Sequence, residues 1–388
     1  MRPRSADRDP RPRSREAAVA RGEAALPGVA LDAHLVHLAS RAAGGLGLVL
    51  TGATAVEPRG RISPQDLGLW ADGHVDALRR VVAAIHDHGA AAGVQLAHAG
   101  RKAGTYRPWA PARGAVPDAD GGWPVVGPTD APFGPTLRTP TALAEEDLAG
   151  VVGAFADAAA RADAAGFDVA EVHAAHGYLL HQFLSPLVND RRDGYGGGFE
   201  ERTRLLREVV AAVRAVWPDG KPLFVRVSAS DWTPGGWTAD DTVRLARELA
   251  SVGVDLIDCS SGGAIPGVAI AAAPNFQVGF AERVRREAGV ASAAVGRIVD
   301  PAQADAIVAE GRADLVLLGK QLLREPYWAL RAAQELGAPA PWPDRYACAV
   351  GGRAVGGRAI GGPYSATRYQ GSEDGRSATA SASSVGPM

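Results

Sequence analysis

The regular alternation of helix-like and strand-like segments limits the fold of this chain more than any other feature. From Thr141 onwards, amphipathic segments typical of helices alternate with short, nearly continuous apolar runs typical of parallel strands buried on both faces. Because each strand–helix unit takes about 40 residues or fewer, the pattern predicts an α/β fold of the (β/α)8 TIM-barrel type. Including two segments before Thr141, the predicted strands are LGLVLTGATAVEP, GVQLAHAGRKA, the run that begins at Phe167, PLFVRVSAS, VDLIDCSSGG, ASAAVGRI and ADLVLLGKQ.

These segments give seven strands, whereas a closed barrel of this type has eight. The first strand should precede Leu31, where the sequence shows no strand pattern, so it is predicted to be missing or replaced. Residues 1–27 are rich in Arg and Pro and poor in apolar residues, which predicts a disordered segment. The barrel is predicted over residues 28–345, and the Gly-, Ser- and Ala-rich residues 346–388 are predicted to form a disordered tail.

The composition indicates a globular enzyme without a nucleic-acid or membrane partner. Hydrophobic residues make up 46% of the 388 residues, and the formal net charge of −2 gives no reason to bind an anionic polymer or surface. The two cysteines, Cys259 and Cys348, are too few for a disulfide framework or an iron–sulfur site. No apolar run approaches the roughly 20 residues that span a bilayer. A cytoplasmic enzyme acting on a small molecule is therefore expected.

Three polar residues follow the strand that begins at Phe167. His173, His176 and Tyr178 lie where this strand gives way to a loop. Because the carboxyl ends of barrel strands carry the active site, these residues predict catalysis. The alternative is a structural role for the histidines, but two imidazoles and a phenol this close together favour function. They lack a nearby carboxylate or a third ligand, so no metal site is predicted.

The last two predicted strands end in glycine followed by a basic residue. Gly296 precedes Arg297, and Gly319 precedes Lys320. Glycine lets backbone N–H groups approach a phosphate, and the loops after the last two strands are the usual phosphate site of this fold. Each glycine taken alone is better explained as an ordinary turn residue, but the four residues together favour a phosphorylated ligand.

Two polar side chains are predicted inside apolar strands. Arg226 needs an electron-rich partner there, because an unpaired buried guanidinium is costly. The partner is either a carboxylate, such as Asp168 or Glu171, or a cofactor that becomes anionic when reduced. Gln95 offers a donor and an acceptor that would suit the edge of a flat heteroaromatic ring.

The connection between the second and third predicted strands is unusually long. It is rich in Pro, Gly and Trp from Tyr106 to Thr139. A loop of this length inside a compact domain is usually a lid or a binding loop, and less often disordered.

Several motifs occur in an order that resembles the Old Yellow Enzyme family of FMN-dependent ene reductases, closest to its thermophilic-like bacterial NADPH dehydrogenases. The resemblance covers roughly residues 28–345 and implies a TIM barrel with FMN at the carboxyl-end mouth. The motifs are QLAHAGRK (95–102), HAAHGYL (173–179), FLSPL (183–187), DGYGG (193–197), FVRVS (224–228) and LGKQLLREP (318–326).

The resemblance also implies a role for each candidate residue. His173 and His176 would donate hydrogen bonds to the carbonyl oxygen of an activated alkene, and Tyr178 would supply a proton to its α-carbon. NADPH or NADH would reduce the flavin at the same mouth. The residues implied to bind FMN are Ala53, Gln95 and Arg226 at the ring, and Gly319 and Lys320, with Gly296 and Arg297, at the phosphate.

The chain departs from the family pattern at both ends. The family's first strand has no counterpart before Leu31, and Lys320 replaces a more frequent Arg. The family's segment that reaches a partner subunit is not recognisable after Arg345, which leaves homo-oligomerisation open. The alternative function is therefore a flavin-free or inactive remnant of such a barrel. A sister flavin barrel acting on dienoyl thioesters is disfavoured, because the iron–sulfur cysteines are lacking.

Overall fold

The computed structural model describes residues 26–347 together with residues 349 and 350. The described residues as far as Pro343 form one compact unit, and a short helix, Asp344–Ala347, belongs to a second. The segments predicted to be disordered are residues 1–27 and 346–388, and most of them lies outside the described residues, namely residues 1–25, 348 and 351–388. The domain boundaries at residues 28 and 345 therefore stay predictions.

A sheet of seven parallel strands forms the centre of the first unit, and each strand of this sheet pairs with the next one along the chain. The predicted parallel α/β architecture is thus confirmed. The missing first strand was predicted before Leu31, where most residues lie outside the described part of the chain, so its absence stays a prediction. The strands of the sheet are β1 (Leu48–Ala55), β2 (Ala91–Ala97), β5 (Val169–Ala174), β6 (Leu223–Ser228), β7 (Leu256–Ser260), β8 (Ala291–Val295) and β9 (Leu315–Leu317), and a separate pair is β3 (Val126–Gly127) and β4 (Thr141–Ala142).

Helices connect successive strands of the sheet, and none of those described is long and apolar enough to cross a bilayer. The short helix Leu179–Leu184, which follows β5, was not predicted, because all six of its residues are buried and it has no exposed face to reveal a helical period. The helices are α1 (Asp32–Ala43), α2 (Val75–His86), α3 (Glu145–Ala165), α4 (Leu179–Leu184), α5 (Phe199–Val216), α6 (Ala239–Ser251), α7 (Val278–Arg283), α8 (Pro301–Ala309), α9 (Lys320–Arg324), α10 (Trp328–Glu335) and α11 (Asp344–Ala347).

Local sequence signals determine where several helices begin and end. Helix α6 begins after Thr238, whose hydroxyl accepts a hydrogen bond from the Asp241 backbone N–H at 3.2 Å. Helix α8 begins after Asp300, which caps it in the same way, and has Pro301 at its first position. Helix α3 ends at Gly166, which adopts a φ of +93° that glycine tolerates without strain.

The two faces of the sheet carry different chemistry. One face packs against the helices in the main core, through residues such as Val172, Val225 and Ile257. The alternate residues form a small separate apolar cluster, which includes Val169 and Phe224. Further along the same face of β2, β5, β6 and β7, the residues become polar. Because side chains alternate along a strand, this second face leads from an apolar floor to a polar rim at the carboxyl ends.

Strand β2 is shorter than predicted, since it ends at Ala97 and not near residue 103. Gly100 has a φ of +59°, which an extended strand excludes, and begins a short 3-10 turn that ends at Lys102. A Cβ on Gly100 would lie only 2.5 Å from the Gln182 amide nitrogen. The turn carries Arg101 and Lys102 away from the strand and towards the loops that follow β5 and β7.

Candidate active site

All ten residues predicted at the site lie within four residues of the carboxyl end of a strand. Ala53, Gln95, His173 and Arg226 belong to the four neighbouring strands β1, β2, β5 and β6. Backbone pairing sets Ala53 opposite Gln95, and His173 opposite Arg226. The structure therefore brings the predicted ring-binding and catalytic residues to one edge of the sheet.

The predicted phosphate residues lie at the other side of the same edge. Gly296 and Arg297 follow β8, and Gly319 and Lys320 follow the neighbouring strand β9. Arg297 and Lys320 are exposed, and neither has a carboxylate partner within the described part of the chain. Two cations without counterions beside two glycines fit a dianionic phosphate.

His173, His176 and Tyr178 form a compact aromatic cluster. The His173 ring centre lies 5.0 Å from that of His176 and 5.1 Å from that of Tyr178, with edge-to-face geometry in both pairs. His176 adopts a φ of +59°, which is unusual for a residue other than glycine. This conformation turns the chain sharply after β5 and returns the His176 ring to within 3.3 Å of His173, measured from Nδ1 to Nε2.

The hydrogen bonds of the cluster define the tautomers of both imidazoles. The Ala175 backbone N–H donates to His173 Nδ1 at 3.2 Å, so the ring proton of neutral His173 is on Nε2. That proton points to His176 Nδ1 at 3.3 Å, which must accept it. The proton of His176 is then on Nε2, which lies 2.6 Å from the Ser260 hydroxyl oxygen at the end of β7.

Burial determines the charge of all three side chains. It lowers the pKa of His173 and of His176 well below the usual range, and the nearby charge of Arg226 lowers both further. Burial also raises the pKa of Tyr178 to about 12. At neutral pH the cluster therefore holds two uncharged imidazoles and a protonated phenol, which can donate hydrogen bonds without adding charge.

Two buried acidic side chains support the polar residues of the neighbouring strands. Gln95 donates from Nε2 to Glu171 Oε1 at 2.7 Å, directly across the β2–β5 pairing. Arg226 Nε lies 3.0 Å from Asp258 Oδ2 across the β6–β7 pairing. Asp258 is thus the carboxylate partner of Arg226, whereas Asp168 accepts a hydrogen bond from the Ala92 backbone.

The polar atoms of Arg226 and Gln95 that do not contact these acidic side chains fit a flavin ring. Within the described residues, no side chain pairs with the two terminal nitrogens of Arg226, and the side chain is 21% exposed. These nitrogens can face an anionic ring edge while Nε stays on Asp258. Gln95 donates one N–H to Glu171, so its side-chain oxygen and its second N–H remain available to a ring edge that carries a donor and an acceptor. Ala53 lies opposite Gln95 on β1 and is partly exposed.

Sequence reasoning missed three residues that complete the site. Lys102 Nζ donates to the backbone oxygens of His176, at 2.7 Å, and Gly263, at 3.2 Å, and so joins the loops after β5 and β7. Ser260 contacts the ring of His176, and Asp258 holds Arg226. Asp258 carried the same signal as Arg226, a charge inside an apolar strand. The contacts of Lys102 and Ser260 depend on loop conformation, which has no local sequence signal.

The long connection after β2 lies against the site. Trp123 and Val125 pack in a small cluster with Tyr178, and the Phe133 ring centre is 4.4 Å from Lys102 Nζ. Arg101 donates to the backbone oxygens of Ala131, in this connection, and Ala264, in the loop after β7. The connection thus lies beside Tyr178 and the two basic residues Arg101 and Lys102.

A sequence model of the NADH:flavin oxidoreductase / NADH oxidase family matches residues 11–338. The chain belongs to this family. It is 46% identical to an NADPH dehydrogenase of Halalkalibacterium halodurans over 81% of this chain and 87% of the relative. An NADPH dehydrogenase of a Geobacillus species, strain WCH70, is 48% identical over 78% of this chain and 84% of the relative. The resemblance to the Old Yellow Enzyme family is thereby confirmed.

Solved structures of related enzymes share the fold. A complex of 2-naphthoyl-CoA reductase with 2-naphthoyl-CoA superposes with a TM-score of 0.72 at 26% identity, covering 81% of this chain and 48% of that one. Morphinone reductase in complex with tetrahydroNAD superposes with a TM-score of 0.66 at 27% identity, covering 82% of this chain and 85% of that one. As a member of this family, the protein is an oxidoreductase of TIM-barrel type that uses FMN and a nicotinamide reductant.

Proposed function

We propose that this enzyme uses FMN and NAD(P)H to reduce activated carbon–carbon double bonds, such as those of enones. One observation carries the proposal: His173 Nε2 and His176 Nδ1 lie 3.3 Å apart, beside the phenol of Tyr178. Two imidazole nitrogens this close can hold one carbonyl oxygen between them. A proton donor at the same strand end suits a reaction in which that oxygen first gains negative charge and a neighbouring carbon then gains a proton.

Each side chain of the candidate site would have a separate role in this reaction. FMN, when bound, supplies the hydride that is taken from NAD(P)H and passed to the β-carbon of the alkene. The two neutral histidines hold the carbonyl oxygen as it becomes an enolate. Tyr178, whose pKa burial raises to about 12, stays protonated at neutral pH and gives its proton to the α-carbon. Arg226 would face the flavin ring and stabilise the negative charge that the ring gains on reduction.

The nicotinamide would enter by the same mouth before the alkene. The NADPH dehydrogenases that the chain is similar to, and the morphinone reductase complex with tetrahydroNAD, support a nicotinamide as the reductant. A single mouth for both substrates predicts ping-pong kinetics, because the oxidised nicotinamide must leave before the alkene can bind.

The first experiment is an anaerobic absorption spectrum of the purified protein, before and after FMN and then NADPH are added. A bound flavin spectrum that bleaches with NADPH supports the proposal. A folded protein that retains no flavin would instead support the alternative of a flavin-free remnant.

Replacement of Tyr178 by Phe tests the proton donor. We expect alkene reduction to slow by about a hundredfold or more, the usual contribution of a general acid, while NADPH oxidation by the flavin changes little. Stopped-flow measurement of the two half-reactions separates the steps. Equal slowing of both would remove Tyr178 from the proposed role.

Replacement of His173 and His176 by Ala tests the oxygen site. Phenols mimic an enolate oxygen and should bind to the same two histidines. Their affinity for the oxidised enzyme should fall by about tenfold or more per histidine, because a hydrogen bond to a charged oxygen is lost each time. The flavin content should stay intact. Unchanged phenol affinity would contradict the proposal.

A further inference from the structure

In this structure His176 Nδ1 accepts a hydrogen bond, whereas the function proposed above requires Nδ1 to donate one. His173 directs its Nε2 proton at His176 Nδ1, so His176 Nδ1 acts as an acceptor. To share one substrate oxygen with His173, His176 must instead donate from Nδ1. This requires the other neutral tautomer, in which Nε2 is the acceptor.

Ser260 is the residue placed to allow both states. Its hydroxyl oxygen lies 2.6 Å from His176 Nε2, and Ser260 is only 5% exposed. A hydroxyl can accept a hydrogen bond in one state and donate in the other by rotating about its C–O bond. No carboxylate or backbone carbonyl could do this, since either would hold the proton on Nε2 permanently.

We propose that Ser260 is a positioning residue that permits a tautomer switch of His176 when a carbonyl or phenolate oxygen binds. In the ligand-free site, His176 donates from Nε2 to Ser260. On binding, one proton leaves Nε2 to water and one reaches Nδ1 from water, so the imidazole stays neutral. The Ser260 hydroxyl then rotates and donates to Nε2. The proposal rests on the proposed function only for the ligand-bound half of the switch.

The surroundings of the ring support a switch between neutral forms and not a protonation. Burial and the charges of Arg226 and Lys102 all disfavour an imidazolium at His176. The backbone of His176 is fixed independently of its ring, because its N–H donates to Ser228 Oγ at 2.9 Å and its carbonyl oxygen accepts from Lys102. The ring can therefore exchange tautomers without movement of the loop.

The test is ¹⁵N NMR of the histidine side chains in the FMN-loaded enzyme, with and without p-hydroxybenzaldehyde as the probe. In the wild type, the protonated nitrogen of His176 should be Nε2 without the probe and Nδ1 with it. Histidine signals are assigned from a His176→Gln variant. A His176 that keeps its proton on Nε2 when the probe is bound would overturn the proposal.

Three variants connect the switch to Ser260. Ser260→Ala should weaken the probe affinity by about tenfold, because Nε2 of the bound tautomer loses its donor. Ser260→Thr retains a hydroxyl and should recover most of this loss. Ser261→Ala is the matched control, since the Ser261 hydroxyl donates to Gln277 Oε1 at 2.6 Å and makes no contact with the ring of His176.

The outcomes separate this inference from the proposed function. If the wild type binds FMN but not the phenol, the proposed function fails. If the wild type binds the phenol and Ser260→Ala binds it equally well, with an unchanged tautomer response, only the role of Ser260 fails. Equal effects of Ser260→Ala and Ser261→Ala would also overturn it, because they would indicate a general disturbance of the strand end.

Discussion

At the scale of single residues, buried charge is concentrated under the candidate site. Glu171 and Asp258 are both fully buried, and Arg226 is the cation between their strands. The pKa of Glu171 is raised from an ordinary 4.5 to about 8 by burial above all and by the charge of Asp258, whereas Arg226 and the hydrogen bond from Gln95 oppose the shift. At neutral pH, Glu171 is thus mainly a neutral acid that accepts from Gln95.

This raised pKa predicts how stability depends on pH. Between pH 4.5 and about 8 the unfolded chain loses the Glu171 proton while the folded chain keeps it, so Glu171 lowers the free energy of unfolding progressively as pH rises. Glu171→Gln should therefore raise the melting temperature more at pH 9 than at pH 5. Glu310→Gln, at an exposed position, is the control and should show the same small effect at both. A gain from Glu171→Gln that did not grow with pH would contradict the assignment.

These residues also show what the sequence could and could not predict about the site. A guanidinium inside the apolar run FVRVS was enough to single out Arg226, because such a group needs a partner. The sequence could not identify the partner of Arg226, because the register of the strands determines that Asp258, and not Asp168, lies beside it. The histidines were predictable from their place at a strand end, but the role of Ser260 depends on the positive φ of His176.

At the scale of elements, the loops after β5 and β7 form one unit. A Cβ on Gly263 would lie 2.7 Å from the His176 carbonyl carbon and oxygen, so the two backbones are in direct contact. Lys102 joins them through both carbonyl oxygens. The strand–helix alternation predicted the strands on which these loops sit, yet the contact between them is a long-range property of the folded sheet.

Two glycines of the same loop test this contact. Gly263 and Gly267 both have positive φ, +93° and +74°, but a Cβ on Gly267 would have no neighbour within 4 Å. Gly267→Ala should therefore cost only the backbone strain, about 1 kcal/mol of unfolding free energy. Gly263→Ala should cost more and should also weaken phenol binding by about tenfold, because it displaces His176. Denaturant unfolding and phenol titration measure the two effects, and equal phenol affinity in both variants would contradict the argument.

At the scale of the whole molecule, the candidate cofactor residues extend along the entire sheet. Ala53 and Gln95 lie at its β1–β2 side, and Arg297 and Lys320 follow β8 and β9. A ligand that contacts both groups binds only the folded chain, so it must raise the free energy of unfolding by mass action, by about 2.7 kcal/mol at a concentration of 100 times its Kd. FMN should therefore raise the melting temperature of the apoprotein.

Riboflavin, which has the same ring without the phosphate, allows the two ends of the sheet to be tested separately. FMN should stabilise the wild type more than riboflavin at equal concentration, because only FMN carries the phosphate that is predicted to contact Arg297 and Lys320. Arg297→Gln and Lys320→Gln should each reduce the FMN shift towards that of riboflavin, since a charge-assisted hydrogen bond to phosphate is lost, while the riboflavin shift stays the same. Gln95→Leu should reduce both shifts. If the two cation variants lowered the riboflavin shift as much as the FMN shift, the phosphate would not lie at the ends of β8 and β9.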